Sequence, residues 1–521
     1  MADTVLRAVE EPEVGALSAL VYQKTQGNPF FVNQFVSSLH ARAWLWFDAE
    51  QGRWRWNLEQ IRGQGITDNV AELMAERIAK LPAATQESLK RAACVGNRFS
   101  LETLSVIGEQ SPRQAAAALW EAVQQGLLLP IGEGYKYVQS AEAEPSLEDA
   151  RAVRYEFLHD RVREAAYSLF GEEPSRQLHL RIGRLLLEST PEAQREGAIF
   201  DVVNQLNRAA GLLHAADERE ELARLNLQAG TRAKASSAYA QALEYLRVGT
   251  SLLREDCWSG QYTLSFQLHR HRAECLNQTG QHEAADRDCE LLLRQARSTL
   301  EKSDIYLLMV EMFVDRGQYL QAIQPARDGL KVLGIELPEG AEALAAANTR
   351  ERERLQANLE GRSVSDLADL PVSTDPEHRA RILMLRQTLS YAAGVHPGLF
   401  ELLSAMIVNL GIEKGHAPGS SSGYTYYALV LLAQMHVPSR THAQAHDYGK
   451  LAVRLAERLD SAREKALVEF TVSTYVAPWF HPVDACLRMQ EPCFRALLDV
   501  GMLFWAEFVS MHMGVVALLG P

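Results

Sequence analysis

The sequence predicts a mainly α protein, with small β-hairpins in its first third and helical hairpins over the remainder. Apolar residues recur at helical spacing along most of the 521 residues, which is the primary sign of amphipathic helices. Two short stretches instead alternate like strands around turn residues. From about residue 175 a helical pattern repeats with a drifting period, as expected for stacked helical hairpins.

The composition is that of a folded protein with no general preference for nucleic acid. Hydrophobic residues make up 47% and charged residues 23% of the chain, as in globular domains. The net charge of −13 disfavours non-specific binding to nucleic-acid phosphates. No apolar run approaches the ~20 residues that span a bilayer, and there is no signal-peptide pattern. The six cysteines lack CxxC or zinc-finger spacing. We therefore expect a cytoplasmic protein without a membrane partner or a metal site.

The first strong helix signal follows the motif GNPFF. Asn28 suits an N-cap, and Pro29 suits the first helical position, where its missing N–H costs no hydrogen bond. Val32, Phe35 and Leu39 then follow at helical spacing and mark one buried face. We expect a helix that begins at this proline.

The segment WLWFDAEQGRWRWN predicts a β-hairpin. Trp44 and Trp46 alternate with a leucine, Trp54 and Trp56 alternate with an arginine, and AEQG forms the turn between them. Aromatic side chains on paired strands stabilise a hairpin by packing across it. We interpret these tryptophans as packed structural residues rather than a base-stacking surface.

Residues 66–174 follow a winged-helix pattern. Four helical segments are bounded by Ser, Pro and Gly signals. LLLPIG and YKYV follow, and then, after a polar insertion (QSAEAEPSLEDARA), VRYEF. Three helices and a hairpin in this order are typical of winged helices, some of which bind DNA through their last helix. The corresponding segment AAAALWEAV has no Lys or Arg, which favours a structural or regulatory winged helix.

The motif FLHD lies where a strand gives way to a helix. His159 and Asp160 occupy the junction, and the aspartate is a candidate N-cap. An imidazole at a helix N-terminus lies where anions are attracted. The residues alone leave two interpretations open: a packing or hydrogen-bonding histidine, and a ligand contact.

Divergent tetratricopeptide-like repeats are predicted over 175–334 and again over 378–521. Gly280 matches Gly317, and Ala285 matches Ala322, an offset of 37 residues in both cases. Small residues at these positions allow close packing of paired helices, and the period lies near the 34 residues of tetratricopeptide repeats. Residues 335–377 interrupt the pattern as a linker or an elaborated inter-repeat loop. Stacked hairpins of this kind form an α-solenoid with a partner-binding surface.

No complete catalytic motif is present in the sequence. It contains no GxxxxGK[ST], HExxH, GxSxG, GxGxxG or kinase HRD and DFG set. We expect no catalytic residues and no enzyme activity from this chain alone. The helical pattern starts without a capping signal and ends on the apolar VVALLGP, so we also expect that both ends are truncated.

The order of these motifs resembles one family: large bacterial multidomain signalling proteins of the STAND class. The motifs that carry the resemblance are GNPFFVNQF, the Trp hairpin, TDNVAELMAERIAKLP, TQESLKRAACVGNRF, YEFLHDRVREAAYSL and the later repeats. In these proteins an AAA-type ATPase, a winged helix and tetratricopeptide-like repeats follow one another. The most similar type is the hybrid with an N-terminal Ser/Thr kinase and a C-terminal GAF and sensor histidine kinase part. The P-loop core and both kinase parts are absent from this sequence.

The resemblance implies a domain organisation. Residues 1–65 would be the C-terminal part of the ATPase region, or lid, with the Trp hairpin, and 66–174 the winged helix. The helical repeats would then cover 175–334 and 378–521, on either side of the 335–377 segment.

The resemblance also implies nucleotide contacts. GNPFF is similar to a Gly-x-Pro motif whose proline packs against adenine, which points to Pro29, with Gly27 and Asn28 shaping the turn. FLHD is similar to a Met-His-Asp motif whose histidine contacts a nucleotide phosphate, which points to His159. The chain alone would carry no cofactor, whereas the parent protein, an ATPase and protein kinase, would use ATP or ADP.

Three functional hypotheses follow from the sequence. The first is a regulatory and interaction segment that couples a nucleotide-dependent switch to a repeat surface, which binds a protein or small-molecule inducer. Its other partners would be the upstream ATPase core and the flanking kinase domains. The alternatives are a DNA-binding transcription regulator of the STAND type and a simple repeat scaffold. Nucleic acid is the less favoured partner, because a basic recognition helix is missing.

Overall fold

The computed structural model describes residues 12–25, 27, 29–63, 70–132, 134–135, 150, 152–433, 440–459 and 461–519. They form two compact units, one up to Leu225 and one from Asn226. Both units are mainly helical, and the five short strands of the described residues lie in the first unit, so the mainly α prediction is confirmed. The finer domain boundaries stay predictions. None of the helices in the described ranges is long and apolar enough to cross a membrane.

The first unit begins with two helices, a hairpin and a short helix. These elements are α1 (Pro12–Thr25), α2 (Pro29–Ala41), β1 (Leu45–Asp48), β2 (Arg53–Trp56) and α3 (Leu58–Gly63). The hairpin register places Phe47 opposite Trp54, with ring centroids 5.5 Å apart in an edge-to-face arrangement. The Asp48 carboxylate accepts backbone N–H bonds within the turn. Leu45, at the start of β1, is buried together with Leu39.

The rest of the first unit wraps helices around a three-stranded sheet. Its elements are α4 (Val70–Ala79), α5 (Ala83–Val95), β3 (Arg98–Ser100), α6 (Leu101–Gly108), α7 (Pro112–Gln124), β4 (Leu128–Ile131), β5 (Arg154–Phe157), α8 (Asp160–Ser168), α9 (Glu172–Ser189) and α10 (Glu192–Arg208). Strand β5 lies between β3 and β4 and is antiparallel to both. The strand partner of LLLPIG is therefore the stretch that includes Tyr155, beyond the polar insertion. Residues 136–149 lie outside the described ranges.

The second unit is a succession of helix pairs. The helix that contains the division between the units is α11 (Ala216–Ala235). It is followed by α12 (Tyr239–Ser251), α13 (Cys257–Gly260), α14 (Tyr262–Gln278), α15 (His282–Gln295), α16 (Thr299–Asp315), α17 (Tyr319–Val332), α18 (Ala341–Asn358), α19 (Pro376–Val395), α20 (Pro397–Lys414), α21 (Ser420–Ala433), α22 (Arg440–Leu459), α23 (Ala462–Thr471), α24 (Val483–Asp499) and α25 (Leu503–Leu519). A π-helical segment, Val472–Val476, extends α23.

In three successive helix pairs, the same kind of turn joins the two helices of the pair. Ser237, Gly280 and Gly317 each adopt a positive φ, of 59°, 77° and 72°. In each case the next backbone N–H donates to the carbonyl five residues earlier, at 2.8–3.0 Å, as in a Schellman helix end. The matched small residues Ala285 and Ala322 are both fully buried. The repeat that the sequence predicts therefore has a common turn geometry.

Ser237 is expected to be the strained member of this set. It is exposed, and a serine in the left-handed region costs more than a glycine. We expect Ser237→Gly to raise the free energy of unfolding by about 1 kcal/mol. The matched reverse change, Gly280→Ser, should lower the free energy of unfolding by a similar amount. The new Cβ would meet nothing within 4 Å, so no steric clash adds to the cost of the left-handed backbone. Urea unfolding of both variants checks the pair, and equal effects of the same sign would contradict it.

The segment 335–377 contains a packed helix. Helix α18 lies against α20 and buries Leu344 and Leu355. The Asn348 side chain donates to the carbonyl of Gly398 at 2.8 Å, and Arg354 pairs with Glu413. The stretch interpreted from sequence as a linker or inter-repeat loop is thus in part a helix bound to the repeats.

Candidate functional site

The Gly27 turn borders an apolar cavity of about 190 Å³. Gly27 has a φ of +73°, and a Cβ added to it would lie 3.0 Å from the Tyr22 ring. The cavity is lined by Leu17, Ser18, Val21, Tyr22, Gly27, Val32, Val36, Leu39, Leu45 and Trp56. An apolar group is the kind of ligand that such walls accept.

The structure describes one of the other two residues of the predicted turn. Pro29 is the first residue of α2, as predicted, and is exposed. It is not among the residues that line the cavity. Asn28 lies outside the described residues, so its predicted capping and turn-shaping role stays a prediction.

His159 is the N-cap of α8. Its Nδ1 accepts the backbone N–H of Arg161 at 3.1 Å, and its carbonyl accepts the N–H of Val162 at 2.9 Å. The neighbouring Leu158 N–H donates to the carbonyl of Leu127, which fixes the end of the sheet next to the cap. The imidazole, rather than Asp160, therefore caps the helix.

The predicted nucleotide contacts lie in different parts of the first unit. Most residues that line the cavity beside Gly27 belong to the hydrophobic cluster that extends from Leu17 to Ile61. His159 precedes a helix whose Val162, Ala165 and Ala166 belong to the separate cluster of 74–182. Nucleotide binding by Gly27, Asn28, Pro29 and His159 stays a prediction.

A buried polar network joins the sheet domain to the helices that follow it. His179 is 1% exposed. Its Nε2 lies 3.1 Å from the Tyr167 hydroxyl, and its Nδ1 lies 2.5 Å from Oε1 of Gln205. The Gln205 amide nitrogen donates to the carbonyls of Cys94 and Val95 at 3.0 and 3.1 Å.

This network fixes the tautomer of the histidine. Since the Gln205 nitrogen donates, its oxygen must accept the proton on Nδ1 of His179. The Nε2 atom then accepts from the Tyr167 hydroxyl. Burial lowers the pKa of His179, so the neutral ring is the folded form at pH 7. No sequence pattern predicted this network.

The second unit contains a buried ion pair between α14 and α15. The Asp288 side chain is 7% exposed and accepts from Arg272 Nη2 at 2.6 Å and Nε at 2.7 Å. The Nδ1 atom of His269 lies 3.2 Å from the same carboxylate, and Arg272 also donates to the Thr250 hydroxyl. These partners lower the pKa of Asp288 despite its burial, so it is ionised at neutral pH.

All six cysteines are free and buried. Burial raises the pKa of Cys94, Cys289 and Cys493 to about 12 and that of Cys275 to about 11. Thiols of this kind are structural rather than nucleophilic. Within the described ranges no group of His, Cys, Asp or Glu has the arrangement of a metal site.

The chain is similar to a curated protein and to a solved structure. The chain is 23% identical over 575 aligned positions to "Hybrid signal transduction histidine kinase G" of Dictyostelium discoideum. The match covers 98% of this chain, and the chain spans 16% of that protein. No family model matches the sequence.

The structure is a Signal Transduction ATPase with Numerous Domains (STAND) protein with a tetratricopeptide repeat sensor, from Pyrococcus horikoshii. The sequence identity is 13%, and the match covers 99% of this chain and 68% of that one. The TM-score of 0.33 is too low for any inference about this chain.

Proposed function

We propose that this chain is the regulatory and interaction segment of a larger signal-transduction ATPase or kinase of the STAND type. It couples a nucleotide-dependent switch in the first unit to ligand binding on helical repeats in the second. The observation that carries this proposal is the similarity to a hybrid signalling kinase over 98% of the chain but only 16% of that protein. The catalytic work and the ATP or ADP then belong to other parts of the parent protein, in the cytoplasm.

The first unit supports the switch by its local geometry. Helices and a three-stranded antiparallel sheet follow one another as a winged-helix domain requires. His159 lies at the N-terminus of α8, where the helix dipole favours an anion such as a phosphate. In this proposal residues 1–65 form the end of the ATPase lid, and the apolar cavity beside Gly27 receives the adenine.

The second unit supports the sensor role. Consecutive helix pairs with a common turn present side chains at repeated positions, which is how repeat proteins build binding surfaces. An inducer shifts the switch only if its affinity differs between the closed and the open form.

The DNA-binding alternative has less support from the surface of α7. The exposed positions of this helix are Gln114, Ala117, Trp120 and Gln124. None of them carries a positive charge that could pair with phosphates, or a guanidinium group that could form two hydrogen bonds with a guanine.

Reading the coding sequence on both sides of this frame tests the proposal. An in-frame P-loop ATPase upstream and a kinase downstream are the expected result. Stop codons at both ends would contradict it and favour a free-standing scaffold. In the parent protein, His159→Ala should then raise basal kinase output, because the closed form loses a phosphate contact. His214→Ala, at an exposed position, is the matched control, and unchanged output from His159→Ala would exclude that role.

A further inference from the structure

A second cavity, of about 370 Å³, lies in the second unit beside α22. It is lined by His446, Lys450, Val453, Arg454, Val472, Val476, Ala477, His481 and Met489. Four of these side chains are basic or titratable, and five are apolar. Its volume falls in the range of small-molecule pockets.

One face of α22 supplies the positive charge. His446, Lys450 and Arg454 are spaced four residues apart, so they follow one another along the same side of the helix. The opposite side packs into the core through residues such as Tyr448 and Ala452, which are 2% and 0% exposed. All three side chains line the cavity.

The two permanent cations of this cavity have no partner among the residues that the structure describes. Lys450 and Arg454 have neither an ion pair nor a hydrogen bond there. Arg458, one turn further along, instead donates to the carbonyls of Ala368 and Leu370. A lysine and an arginine one turn apart, without an acidic partner in the described ranges, attract an anion.

The floor of the cavity is apolar and is formed by the π-helical segment. Val472, Val476 and Ala477 are 7%, 1% and 2% exposed. A Cβ added to Gly449 would lie 3.2 Å from Val476, so this glycine allows α22 to approach the segment closely. π-Helical turns occur frequently at functional sites. Here the π-helical segment places an apolar surface in the same cavity as the basic side chains of α22.

Two imidazoles close one end of the cavity. The rings of His446 and His481 lie 5.2 Å apart, and His446 also packs on Phe480 at 4.6 Å. Burial, Lys450 and His481 lower the pKa of His446, against a smaller opposite effect of Asp447. At neutral pH this ring is therefore an uncharged hydrogen-bonding group.

We propose that this cavity binds a small organic anion. Its carboxylate or phosphate would pair with Lys450 and Arg454, and its apolar body would lie on Val472, Val476 and Met489. A small organic anion is then the class of ligand that the sensor role uses. This biological meaning of the site rests on the proposed function. The binding itself depends only on the side chains of this cavity.

Calorimetric titration of the full chain tests the proposal. Hexanoate, hexyl phosphate and hexan-1-ol share one alkyl chain and differ in the head group. We expect saturable binding of at least one of the two anions with a Kd below about 10 mM. The alcohol should bind at least about tenfold more weakly. Which anion binds more tightly distinguishes a carboxylate from a phosphate ligand.

A double variant and its control assign the binding to this cavity. Lys450→Gln with Arg454→Gln should weaken anion binding by about tenfold or more, because both substitutions remove exposed charges without disturbing the floor. Lys331→Gln with Arg463→Gln removes the same charge from other exposed positions and should leave the affinity unchanged. Failure of both anions to bind, or equal binding by the two double variants, would overturn the proposal. The coding-sequence test decides the parent protein separately, because this titration measures the chain alone.

Discussion

Replacing Asp288 with alanine is expected to lower the free energy of unfolding of the second unit by about 3 kcal/mol. The carboxylate is buried against Arg272 and His269. Without it, the guanidinium group, whose side chain is 23% exposed, loses its counter-charge and keeps the Thr250 hydroxyl and Nδ1 of His269 as hydrogen-bond partners. Breaking a buried pair by removing one partner leaves an uncompensated charge, which costs more than the pair itself contributes.

The effect can be localised by combining urea unfolding with hydrogen exchange. Exchange should accelerate in α14 and α15, which the pair joins. Glu283→Ala is the matched control on the same helix, since its carboxylate is 96% exposed at 4.0 Å from Arg287. We expect the control to change stability by less than about 0.5 kcal/mol. Equal losses in the two variants would show that Asp288 has no special role.

Replacing His179 with alanine is expected to destabilise the first unit by about 2–4 kcal/mol. The change opens a cavity and removes the partner of both the Gln205 oxygen and the Tyr167 hydroxyl. A polar group left buried without a hydrogen bond costs its full desolvation energy. His214→Ala, at an exposed position, should be close to neutral.

The same histidine predicts a pH dependence. Burial lowers its pKa in the folded state, so the unfolded chain binds the proton first, near pH 6.5. The stability that neutral His179 contributes is present above that pH and is lost as the pH falls below it. Unfolding midpoints at pH 7.5 and 5.5 measure this. The difference between them should be smaller in His179→Ala than in the unchanged protein, and an equal difference would contradict the assignment.

The fold could be predicted from the sequence where local spacing carries the information. The helix at Pro29, the aromatic hairpin and the common turns at Gly280 and Gly317 all depend on residues within one or two turns of each other. The strand partner of Leu128–Ile131 was not predicted, because the register depends on a stretch beyond a long insertion. The polar helix α18 was also missed, since it buries few apolar residues and follows a Pro- and Glu-rich stretch.

The candidate sites show the same limit. His159 was found at a helix start because a strand-to-helix junction is a local signal. The contact between His179 and Gln205 joins residues 26 positions apart, and Gln205 reaches Cys94 across 111 positions. The spacing of Lys450 and Arg454 is enough to predict the basic face of α22. The apolar floor of the cavity, however, comes from a π-helical turn that no sequence pattern predicts.

The buried cysteines make the native protein slow to react with thiol reagents. A thiol with a pKa near 12 is almost never a thiolate at neutral pH, and only the thiolate attacks such reagents. Cys94 lies in the first unit, whereas Cys289 and Cys493 lie far apart along the second. The alkylation rate of each cysteine therefore measures how often the helices around it open to solvent.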